Sequence, residues 1–84
     1  MSQQIVRTAK QMGDAVRRHR RARKLSQEAV GERTRLRQAT ISAVEAGEPG
    51  TALATLFDVL ATLDLELVVR PRTKMSSQRI EDLF

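Results

Sequence analysis

The stretch Ser26 to Glu45 reads SQEAVGERTRLRQATISAVE, and it places two short helices with a corner between them. Ser26 ahead of Gln27, Glu28 and Ala29 has the hydroxyl and following acid of a helix N-cap, so a helix starts there, turns Ala29 and Val30 inward and ends near Arg33. Thr34, Arg35 and Leu36 carry no strong helix signal. Arg37-Gln38-Ala39-Thr40 then opens a second helix whose Ile41 and Val44, three apart, share one face. Leu36 is placed to plug the corner, and Gly47, Pro49 and Gly50 end the second helix.

Working outward, Ala9, Met12, Gly13 and Val16 recur at spacings of three and four, which predicts a helix from Thr8 to about Arg23. Downstream, Thr51 is a candidate cap for a helix with Leu53, Leu56, Phe57, Leu60 and Leu63 on a broad apolar stripe. Leu65-Glu66-Leu67-Val68-Val69-Arg70, closed by Pro71, has the β-branched content and length of a strand. A lone strand among helices leaves its backbone groups unpaired, and the economical partner is the same strand of a second copy. Pairing there would cover Leu67 and Val69, or Leu65 and Val68. The expected fold class is therefore all-α: a bundle of four helices plus a C-terminal strand that pairs across a homodimer. Residues 1–70 form the expected domain, with the strand at about 65–70, and 71–84 a flexible tail. The apolar Ile80, Leu83 and Phe84 at its end are by default inert; the sharper reading is a short segment that docks on a partner or marks the chain for proteolysis.

Composition narrows the function. At 84 residues the chain has room for one domain, and its lack of cysteine rules out disulfides and thiolate metal sites. His19 is the only histidine, so no metal site is expected, and no nucleophile with a base, paired carboxylates or phosphate-cradling glycine loop marks an enzyme; no cofactor and no catalytic residue are expected. No run of apolar residues is long enough to span a membrane, and the reading is a cytoplasmic protein with no membrane partner. The net charge of +5 raises the prior for a polyanion, and Arg17, Arg18, Arg20, Arg21, Arg23 and Lys24 concentrate it. With two phenylalanines, no tyrosine and no tryptophan, the stacking platforms of single-strand binders are missing, which favours duplex DNA.

Two short helices joined by about three residues have the spacing of a helix-turn-helix, in which the second helix lies in a major groove about 12 Å wide. Gln38 is the best base reader, because its amide donates and accepts at once and so matches the N6 and N7 edge of adenine. Arg37 can grip guanine O6 and N7, while Ala39 and Ala43 are small enough to approach the groove floor or a thymine methyl. Ser26, Gln27, Thr40, Ser42 and Arg17 are candidates for phosphate contacts, which fix orientation without reading sequence. A twofold pair of such helices demands an inverted repeat, hence a palindromic operator.

On Gly13, Val16, Arg17, Arg20, Leu25-Ser26-Gln27-Glu28, Gln38-Ala39-Thr40-Ile41-Ser42, Glu45 and Gly47, the chain resembles the Cro/C1-type (Xre) helix-turn-helix family. The resemblance covers most of Met12 to Leu65 and implies a lambda-repressor-like bundle. It also implies Gln27 on the DNA backbone, base reading from positions 37 to 39 and 43, and an ion pair between Arg20 and Glu45. More narrowly, the strand in place of the usual fifth helix is similar to the HipB-type antitoxins. That likeness implies a partner, a HipA-like serine/threonine kinase toxin, beside the DNA. Two residues depart from the family pattern: Gly31 stands inside the first helix of the motif, and Arg35 replaces the usual turn glycine, where a positive φ would strain it. The resemblance leaves two functions open: an autoregulating antitoxin with a kinase partner, or a stand-alone transcription regulator. An adaptor that binds only protein is a third, and its binding would lack the steep salt dependence of DNA contacts.

Overall fold

A computed structural model describes residues 3–73 of the chain. Four helices follow in order: α1 Ala9–Ala22, α2 Gln27–Thr34, α3 Gln38–Glu45 and α4 Leu53–Thr62. The first two start on the residues that hydroxyl chemistry favours. Thr8 Oγ1 accepts from the Gln11 N–H at 3.0 Å, and Ser26 Oγ accepts from the Ala29 N–H at 3.0 Å, each satisfying one of the donors that a first turn leaves free. α3 starts after Arg37 without a side-chain cap.

The start of α4 differs from the expectation. Thr51 does not cap it: the Thr51 N–H donates to Glu48 O at 3.2 Å, which closes a turn over residues 48–51, and the first helical bond runs from the Leu56 N–H to Ala52 O at 3.1 Å. The cap position therefore falls on Ala52.

Val16, Val30, Ile41, Val44, Val59, Leu60 and Leu63 form the core, with Met12, Leu25, Leu36, Leu56 and Leu65 packed against it. α3 packs on both α1 and α2, and α2 also packs on α4, so α3 is braced from two sides. Gly13 lets α1 come that close. A Cβ there would stand 2.5 Å from Glu45 O and 2.6 Å from Val44 O, inside contact distance of the α3 backbone. Gly31 has a comparable reason, since its Cβ would lie 2.7 Å from Leu36 O in the corner.

Arg35, the α2 C-cap, takes φ 61° and ψ 31°, the left-handed conformation that the missing turn glycine foreshadowed. Its N–H donates to Glu32 O and the Leu36 N–H to Gly31 O, so the corner is closed by backbone bonds despite the side chain.

The apolar stripe of α4 is only partly inward. Leu60 and Leu63 are buried and are joined by Val59, whereas Leu53 is 61% exposed and Phe57 48% exposed. Among the described residues no strand forms. Residues 65–70 are neither helical nor laddered, for a strand needs a neighbour to bond to and a single copy offers none. Leu65 is half-buried against the core, while Leu67, Val68 and Val69 are exposed, Val69 to 98%.

Candidate nucleic-acid interface

α3 buries Ile41, Val44 and Glu45 and turns the opposite side outward. At about 100° per residue, Ala39 and Ala43 lie at the centre of the outward side, Gln38 and Ser42 on the flank toward α2, and Thr40 on the other. Arg37, Gln38, Ala39 and Ser42 are exposed, and Thr40 and Ala43 are half-exposed. The structure thus brings the expected base readers onto one open surface, with only methyl groups at its middle.

Behind this surface the helix is tied down through a buried ion pair. Arg20 Nε donates to Glu45 Oε2 at 2.5 Å and Arg20 Nη2 to Glu45 Oε1 at 3.0 Å, a two-pronged contact between α1 and the last residue of α3. Arg20 Nη1 also donates to Leu25 O at 2.8 Å, which fixes the α1–α2 turn. Glu45 is 2% exposed and Arg20 9% exposed. Burial pushes the Glu45 carboxyl up, but hydrogen bonds from Arg20 and Gln27 and the charges of Arg20 and Arg17 outweigh it, leaving the group below its ordinary value. Arg20 is raised, first by its hydrogen bond to Glu45. The pair is charged over the whole neutral range.

The pair continues outward to the exposed surface. Gln27 Nε2 donates to Glu45 Oε1 at 3.1 Å, and Gln27 Oε1 accepts from Gln38 Nε2 at 3.4 Å. Gln27 therefore has a fixed amide orientation. Its nitrogen faces the buried carboxylate and its oxygen faces Gln38, the expected base reader, which leaves Gln38 Oε1 and one Gln38 proton unpaired by Gln27. The Gln27 bridge was not legible in the sequence, because no spacing rule pairs amides eleven residues apart across a corner.

The remaining candidates are more dispersed. Ser26 spends its lone pair on the α2 cap and keeps its hydroxyl proton to donate. The N–H groups of Gln27 and Glu28, in the first turn of α2, lie beside it and have no intrahelical acceptor. Arg17 Nη2 donates to Glu45 O at 3.4 Å, and its Nε is 3.6 Å from Glu45 Oε1, so it caps the end of α3 while remaining half-exposed. A shallow, open depression is lined by Arg37, Ala39, Thr40 and Ala43 together with Glu48, Thr51 and Thr55, three residues that the sequence did not single out for contact. Ile80, Leu83 and Phe84 lie outside the described residues. Among the described residues no cluster of three metal-ligating side chains occurs, and no helix is long and apolar enough to cross a membrane.

Comparison with known proteins converges on this motif. The profile of a family described as "Helix-turn-helix domain" matches residues 11–71. A protein of Sinorhizobium fredii, named uncharacterized HTH-type transcriptional regulator y4dL, is 40% identical over 60 residues, which cover 71% of this chain and 31% of that protein. The chain thus spans about a third of the length of that relative. A HipB variant solved in complex with an O2 20mer matches with a TM-score of 0.80 and 27% identity over 86% of this chain and 100% of the other. HipB in a HipA-HipB-O2-O3 complex matches with a TM-score of 0.79 and 25% identity over 84% of this chain and 100% of the other.

Proposed function

The chain belongs to this helix-turn-helix domain family, and from that premise we propose that it is a sequence-specific, dimeric binder of duplex DNA that regulates transcription. More narrowly, it serves as the antitoxin of a HipA/HipB-like system, repressing its own operon and holding a HipA-like serine/threonine kinase toxin. It acts in the bacterial cytoplasm, as a binding protein and not an enzyme. The observation that carries the DNA reading is Gln38: exposed at the first turn of α3, with one amide proton turned to Gln27 Oε1 and the rest of its amide open. Arg37 beside it and Ala39 and Ala43 along the same surface complete a pattern suited to base edges, with Ser26, Gln27, Thr40, Ser42 and Arg17 toward the phosphates.

Dimerisation through residues 65–70 is supported by the exposure of Leu67, Val68 and Val69 on a segment whose residues 66–70 make no backbone–backbone hydrogen bond to another described residue. The toxin partner draws its support from the likeness to HipB solved with HipA. A stand-alone regulator is the second reading, favoured by the Sinorhizobium fredii relative, whose name mentions transcription and no partner protein.

Two measurements test this. Fluorescence anisotropy with random duplex oligonucleotides should show binding that weakens steeply between about 50 and 200 mM salt as counterions are released. No binding at 50 mM salt would end the DNA reading. Co-purification after expression with the neighbouring genes should recover a kinase; recovery of the chain alone, still bound to its operator, would leave the stand-alone regulator.

A further inference from the structure

Opposite the outward side of α3 stands a carboxylate that the DNA-binding role leaves unexplained. Glu48 shares the open depression with Arg37, Ala39 and Ala43. Its backbone is pinned on both sides: its N–H donates to Ala43 O at 3.0 Å, and its C=O accepts from the Thr51 N–H at 3.2 Å. The loop cannot carry the residue away from α3 without breaking a bond to a residue of the contact surface itself. The side chain is exposed, and among the described residues no cation lies within ion-pair distance of it.

A free carboxylate carried on a backbone held at this place selects what can sit against it. Phosphate is repelled. In a major groove an acceptor-only group also meets acceptors on guanine and thymine, and on adenine it meets the N7 lone pair beside the N6 amino group. Cytosine alone presents an amino group with no acceptor on its own major-groove edge. Thr51 and Thr55, lining the same depression, can donate or accept and so do not oppose this choice.

Resting on the DNA reading above, we propose that Glu48 is a specificity-determining residue, whose carboxylate accepts a hydrogen bond from the N4 amino group of a cytosine in each half-site. It also lowers affinity for sites that would place a phosphate or another base there. Removing it should therefore do two things at once: relax one base position and strengthen binding to unrelated DNA.

The experiment is site selection from a random duplex pool by the full chain, by Glu48→Ala and by Glu48→Gln, with folding of each checked by circular dichroism. The wild type should fix a C·G pair that Glu48→Ala randomises and that Glu48→Gln converts toward A·T, because an amide suits adenine. Affinity for random duplex should rise about fivefold in both variants, the effect of deleting one like charge near a phosphate. Identical selected sites for wild type and Glu48→Ala, or random-duplex affinity unchanged, would overturn the role of Glu48 while leaving DNA binding intact. A wild type that enriches no sequence would remove the DNA reading itself, and this inference with it.

Discussion

Replacing Glu45 by alanine should destabilise the protein strongly. The substitution strands the Arg20 guanidinium, 9% exposed, with Leu25 O as its remaining acceptor at 2.8 Å, and it removes the acceptor of Gln27 Nε2. Losing one partner of a buried pair costs about 3–5 kcal/mol. A domain of this size is stable by about 4–12 kcal/mol in total, from about 0.05–0.15 kcal/mol per residue. The variant should therefore lose a quarter of its stability or more, whereas Glu48→Ala, on the exposed loop, should lose little. Replacing both partners, Arg20→Met with Glu45→Leu, should cost far less than either single change, since it leaves no charge behind. Urea unfolding followed by helical circular dichroism at fixed protein concentration gives the stabilities of the wild type and of every variant, the Arg20→Met and Glu45→Leu singles included. A cost for Glu45→Ala below about 1 kcal/mol, or a double variant as unstable as the sum of the singles, would mean that Arg20 finds water once Glu45 is gone, and the pair would be no anchor.

Acid should have a related effect. Because the Glu45 carboxyl is held below its ordinary value, the stability it contributes is present at neutral pH and is lost as pH falls through its folded-state value. Unfolding midpoints against pH should decline more at the acid end in the wild type than in the Arg20→Met, Glu45→Leu double variant, and parallel curves would contradict this. Gly13→Ala should destabilise by about 1–3 kcal/mol through overpacking, although alanine is the better helix former, because its Cβ would press on Glu45 O at 2.5 Å; thermal melts decide the sign. Arg35→Gly should raise stability by about 1 kcal/mol by relieving the left-handed backbone at φ 61°, and a lower melting temperature would show that the Arg35 side chain makes a contact worth more than that strain. Gln38→Ala should cost about 1–3 kcal/mol per half-site on the preferred duplex and relax one base position, while equal losses on preferred and random duplex would deny Gln38 a reading role.

The helices were legible because their signals are local. Thr8 and Ser26 are hydroxyls placed before amphipathic runs, and both proved to be caps. The corner was legible for a similar reason, with Leu36 packed against the core, while the left-handed backbone at Arg35 was foreshadowed by the family resemblance. Thr51 was misleading because the turn bond to Glu48 O, set by residues 48–51 as a group, moved the helix start one residue along. The apolar residues of α4 cover a wider arc than one chain can bury. Periodicity showed that the helix has an apolar side but not which edge of it the core takes, and the core took Val59 and left Phe57 outside. The ion pair between Arg20 and Glu45 followed from family resemblance, since twenty-five residues separate the partners and nothing in their spacing demands a contact. The Gln27 link to both Glu45 and Gln38 had no sequence signal at all.

Why the anchor is charged can be argued from its geometry. Two apolar residues of similar size would hold α1 against α3 at least as well, because burying an ion pair returns little net stability over a hydrophobic pair. Such residues would offer nothing to Gln27. The Glu45 carboxylate, gripped on both oxygens by Arg20, presents a fixed acceptor to Gln27 Nε2, and this decides which end of the Gln27 amide faces out. The outward oxygen in turn accepts from Gln38 Nε2 and so biases which atoms Gln38 leaves open at the surface. The arginine orients the glutamate, the glutamate the first amide, and the first amide the second, with one hydrogen bond or bidentate contact at each step. A buried charge at the C-terminal end of α3 thereby governs the chemistry at its N-terminal end, and the free energy that a charged core forgoes in stability goes into the direction of one exposed side chain.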